Sequence, residues 1–140
     1  MTSQTASRQT LEQQRAAHSW NAIENYAGRS TADKKAFGRE AKKLPTRIHT
    51  SGLGHALLFL NAKHHDKPGE DVLNAVSVWL TDGCGLLTAT RPDVTKFDAV
   101  RDAIINGSST TLRRATDEAL AYLQWLSRFA EAEFGIAEEE

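Results

Sequence analysis

Apolar residues recur along the chain at intervals of three and four, and nowhere do they alternate with polar ones over a strand-length run. The first such stretch predicts a helix over residues 10–27, with Ala16, Ser19, Trp20, Ile23, Tyr26 and Ala27 on one side and Gly28 as its stop. Ser30 or Thr31 caps a second helix, because either hydroxyl can accept an orphan backbone N–H. That helix is mostly polar, offers only Ala36, Phe37 and Ala41 for burial, and is expected to run through Lys43. Leu44-Pro45 ends it, since a proline pushes the residue before it out of the α region. Pro45 then opens a short helical segment over residues 45–50, ahead of Ser51-Gly52.

Residues 53–62 are apolar almost all round (Leu53, Ala56, Leu57, Leu58, Phe59, Leu60), which predicts a helix in the middle of a bundle. Pro68-Gly69 reads as a turn, and Glu70 and Asp71 suit the positive start of the next helix. That helix carries Val72, Ala75, Val76, Trp79 and Leu80 and stops at Asp82-Gly83. Residues 84–91 show no clear pattern and read as a loop or a short helical turn. Asp93 is expected to cap a helix to Ile105, with Phe97, Val100, Ile104 and Ile105 as its apolar set. Asn106-Gly107-Ser108 forms a turn and cap before the longest helix, residues 109–134, which Gly135 closes. The expectation is an all-α fold, a single compact bundle-like domain of about six helices over residues 9–135. A disordered tail over residues 1–8 and an acidic tail over residues 136–140 flank it.

At 140 residues, 40% hydrophobic and 25% charged, the chain can bury a core without disulfides or metals. No apolar run approaches the roughly 20 residues of a membrane span. The first residues lack the layout of a secretory signal, and the lone Cys84 suits a reducing compartment, so a cytoplasmic location is expected. The net charge of −1 says little, but its distribution says more. Residues 29–47 hold seven basic side chains against two acidic, a local +5, while residues 93–140 hold five against ten, a local −5. A chain polarised in this way offers one cationic and one anionic surface.

Catalytic chemistry finds no foothold. His64 and His65 are adjacent, so on a helix they point about 100° apart and cannot chelate one metal from one face. They read as a solvated helix end, and His18, His49 and His55 as packing or surface residues. Cys84 lies between Gly83 and Gly85 but has no visible base to activate it, so it reads as a small buried or half-buried hydrophobe. Gly52 and Gly54 lack the preceding strand and the remaining residues of a phosphate loop. No catalytic residue, metal, cofactor or small-molecule substrate is expected. The basic segment is different: Lys35, Arg39, Lys42 and Lys43 recur at helical spacing and share one side, with Arg47 and His49 just beyond. Such a row can track a phosphate backbone without reading bases. Equally, it can be a solvated face paired with the acidic half of this chain or a neighbour.

Around this row the order of short motifs becomes specific. RAAHSWNAI at residues 15–23 is followed by AKKLPTRIHTSGLGHALLFLNAK at 41–63 and RRATDEALAYLQWLSRFAEAE at 113–133. Together these resemble the small helical subunit, the fifth, of the Cmr-type (type III-B) CRISPR effector complex. The resemblance runs from Arg15 to Glu133 and departs at His55, where the family often has glutamine, and at Leu112, where an aromatic is common. It implies a non-catalytic subunit that stacks in several copies into the minor filament of an RNA-guided complex, partnered by other subunits, itself, and guide and target RNA. Carried onto this sequence, it implies RNA contact by Lys42, Lys43, Arg47, Arg113 and Arg128; Lys35 and Arg39 join by helical spacing alone. Leu120 and Trp125, at the flanks of the last helix's apolar stripe, are candidates for the contact between copies or equally for the core. The alternative is a stand-alone helical interaction or regulatory domain whose basic row meets an acidic protein.

Overall fold

A computed structural model describes residues 9–62, 67–88 and 95–135. Among the described residues all regular structure is helical: α1 (Leu11–Asn25), α2 (Thr31–Ser51), α3 (Leu53–Ala62), α4 (Lys67–Val78), α5 (Lys96–Asn106) and α6 (Ser109–Phe134). A π-helical turn, Trp79–Gly83, continues α4 without a break.

Side chains at the starts fix most of these helices. The Thr10 hydroxyl accepts the Gln13 N–H at 3.1 Å, and the Gln13 side chain accepts the Thr10 N–H at 2.9 Å, which satisfies two orphan donors reciprocally. Ser30 caps α2 and Ser108 caps α6 in the same manner, each accepting an N–H three residues on at 3.1 Å. Gly135 closes α6 in the left-handed region, with φ 68°, where a glycine meets no Cβ penalty.

Three expectations are corrected. Helix α2 does not stop at Lys43; it passes through Pro45 to Ser51. Burial wins over local preference here: Leu44 and Ile48, on either side of the proline, are both fully packed, so the helix that carries Ala41 to the core also carries them. Pro68-Gly69 is not a turn but the first turn of α4, where a missing N–H costs nothing. Thr95, not Asp93, caps α5, its hydroxyl accepting the Asp98 N–H at 3.0 Å; Asp93 lies outside the described residues, as do His64, His65 and both expected tails.

Helix α6 packs against α1 and α2; α2 also packs against α3 and α4, and α5 lies against α4 and the π-helical turn. The buried side chains form one continuous cluster from Ile23 and Tyr26 through Leu44, Leu57, Val76, Trp79 and Val100 to Tyr122 and Leu126. Helix α3 is less central than its composition suggests. Leu53, Ala56, Leu57 and Leu60 face the core, whereas Leu58 and Phe59 are about half exposed, at 46% and 47%. Ile105, expected in the apolar set of α5, is 69% exposed. Among the described residues no helix is long and apolar enough to cross a membrane.

Candidate nucleic-acid interface

The basic row rides on α2, whose inward stripe is Phe37, Ala41, Leu44 and Ile48. At 100° per residue, Lys35, Arg39 and Lys42 fall within an arc of about 60° opposite that stripe, and Lys43 and Arg47 widen the arc to about 140°. From Lys35 to Arg47 the row rises about 18 Å. The unbroken helix is what aligns it: a stop at Lys43 would have left Arg47 on a separate segment.

The members are not equivalent. Lys43 is exposed and has no ion pair among the described residues. Lys42 is exposed but reaches Glu131 of α6 at 3.2 Å, so part of the cationic face is offset by the acidic half of the same chain. Lys35 and Arg39 are half-buried. Arg47 turns inward: its Nη1 donates to Glu40 Oε1 at 3.0 Å and its guanidinium lies 4.5 Å from the centre of the Phe59 ring. Glu40 is buried, so this guanidinium balances an interior carboxylate and ties α2 to α3. Arg47 is thus a structural residue in the first place.

Arg113 and Arg128 of α6 are both exposed. Glu131, which meets the row through Lys42, lies 18 residues or about 27 Å along α6 from Arg113, so the structure does not bring Arg113 to the row. Arg128 lines a shallow groove with Glu12, Gln124, Trp125 and Phe129, on the flank where α6 meets α1. Trp125 donates its indole N–H to Glu12 at 2.7 Å, and Leu120 packs against the core. The predicted cations therefore divide into the row on α2, Arg128 one turn before Glu131 on α6, and the distant Arg113.

A polar cluster that sequence reading did not find joins α1, α6 and the π-helical turn. Arg15 grips Glu118 through two parallel hydrogen bonds, of 2.6 and 2.9 Å, and the Trp79 indole N–H donates to the same carboxylate at 2.9 Å. The Arg15 contact, aided by Trp79, holds the Glu118 carboxyl below its ordinary value despite burial. His18 Nδ1 lies 2.9 Å from the Tyr122 hydroxyl, its ring edge-on to Trp79 and Tyr122, and burial lowers its pKa. Arg15, Glu118 and Tyr122 had sequence signals only as members of a helix. Their meeting across 103 residues has no local signature. Cys84 is half-buried against the core with its thiol pKa pushed up by burial. Among the described residues no group of three or more His, Cys, Asp or Glu side chains is placed to hold a metal.

The described residues define an all-helical protein with a row of basic side chains along one helix. Over residues 11–133 the chain matches the family model described as CRISPR-associated protein (Cas_Cmr5). It belongs to that family, the small subunits of the type III-B CRISPR complex. Membership implies association with other subunits of that complex.

Proposed function

We propose that this chain is a non-catalytic subunit that stacks in several copies and lays the basic face of α2 along target RNA without reading its sequence. The observation that carries this reading is the row itself: Lys35, Arg39, Lys42 and Lys43 project opposite the buried stripe of one unbroken helix. A linear array of cations that neutralises phosphates gains affinity from released counterions, and that gain is the same for every base. Arg128 adds charge one turn before Glu131, which meets Lys42, while Arg47 supports the row by holding α2 to Phe59 of α3.

The Lys42–Glu131 pair favours a second reading, in which the row meets acidic protein surface instead of RNA. Co-purification separates the two. The tagged chain, recovered from its native cell, is expected to bring down guide RNA and the larger subunits of the complex. A chain recovered with an acidic protein partner, and with no RNA, would replace the first reading by the second.

A further inference from the structure

Helices α1 and α4 enclose an open cleft of about 370 Å³ whose lining includes none of the basic row. Its floor is apolar, with the buried Tyr26 and Phe37 beneath it. Its walls carry three carboxamides: Asn21 and Asn25, one turn apart on α1, and Asn74 on α4. All three are exposed, and none has a side-chain hydrogen-bond partner among the described residues. A carboxamide offers a donor pair and an acceptor side by side, the pattern that matches the edge of a nucleobase.

At the cleft's edge stands a planar cation that the fold holds in place. The Arg29 guanidinium lies 4.7 Å from the centre of the Tyr26 ring and 3.4 Å from Asp71, and Asp71 in turn accepts the Tyr26 hydroxyl at 2.8 Å. The guanidinium is thus stacked on one face and braced along one edge. Unstacked RNA bases are recognised by such planes together with polar groups on their edges. A volume of this size suits a single base with its sugar rather than a longer ligand.

We infer that this cleft takes one unstacked nucleobase, stacked against Arg29 and bonded at its edge by Asn21, Asn25 and Asn74. The inference rests on the reading that the chain meets RNA, but it uses none of the residues of the basic row. Rotation of each carboxamide exchanges its donor and acceptor sides, so the cleft accepts purines and pyrimidines alike.

Adenosine 5′-monophosphate, uridine 5′-monophosphate and base-free ribose 5-phosphate, titrated into the full chain, test it. Side-chain amide NMR signals of the three asparagines report each addition. Both nucleotides are expected to shift these signals saturably at millimolar concentration, while ribose 5-phosphate leaves them in place. Arg29→Lys, which keeps the charge and removes the plane, should weaken nucleotide binding about tenfold, as should Asn74→Ala. Equal shifts with ribose 5-phosphate would reassign the cleft to phosphate, and unsaturable shifts or unaffected variants would remove the site. None of these outcomes depends on Lys42 or Lys43, so failure of the cleft and failure of the RNA-tracking row remain distinguishable.

Discussion

Glu118 accepts three hydrogen bonds from two side chains while it and Arg15 keep only 12% and 14% of their side-chain surface. Removing one charge from such a pair leaves the other desolvated and unpaired. Glu118→Gln is therefore expected to cost about 3 kcal/mol, read as a lowered denaturant midpoint with unchanged slope. Burial of His18 and the Arg15 contact of Glu118 set two pH windows. His18 has a folded pKa below its ordinary 6.5, so the neutral ring is favoured; its contribution is complete above pH 6.5 and is lost as pH falls through the lowered value. Glu118 is depressed below 4.5, so its contribution holds above that pH and is lost only on further acidification. His18→Leu should flatten the melting temperature between pH 7 and pH 5 relative to the parent chain. Equal pH slopes in both proteins would show that His18 does not carry the loss.

At the scale of elements, Pro45 and Gly83 make opposite demands. Pro45 sits inside α2, where it removes a backbone donor and crowds the carbonyl four residues back. Pro45→Ala is expected to stabilise the chain by about 1 kcal/mol, a rise of roughly 3 °C in melting temperature by calorimetry. Gly83 ends the π-helical turn against the Trp79 indole, and a methyl group there would collide with that ring. Gly83→Ala should destabilise by about 2 kcal/mol, as overpacking does, and should perturb near-ultraviolet circular dichroism from Trp79. The helices themselves were legible because their period and caps are local: Ser30, Ser108 and Gly135 stand where the pattern puts them. Boundaries failed where tertiary burial opposed a local rule. Leu44 and Ile48 carried α2 across Pro45, and the half-exposed Leu58 and Phe59 show that an apolar run need not be wholly enclosed.

Across the whole molecule, charge and packing divide the labour. Lys42 and Lys43 are exposed on α2, with Lys35 and Arg39 half-buried beside them, while the inward side of the same helix contributes Phe37, Leu44 and Ile48 to the core. The row's existence could be read from spacing alone. That Lys42 would be drawn to Glu131 and Arg113 left about 27 Å down α6 could not, since each depends on which helices meet, and the Arg47–Glu40 pair within α2 needed the helix to run unbroken through Pro45. The Lys42–Glu131 pair is partly exposed and worth less than about 1 kcal/mol, so replacing Lys42 leaves the fold intact. On the proposed reading an isolated copy would offer few phosphate contacts, and such contacts add only when several copies are held in register. The central claim, that the α2 row tracks RNA phosphates, is therefore tested most directly in the assembled complex. The measurement is the salt dependence of target-RNA affinity with Lys42→Ala/Lys43→Ala subunits. A shallower slope of log affinity against log salt, with the same fractional loss for unrelated RNA sequences, is expected. An unchanged slope, or a loss confined to one sequence, would contradict it.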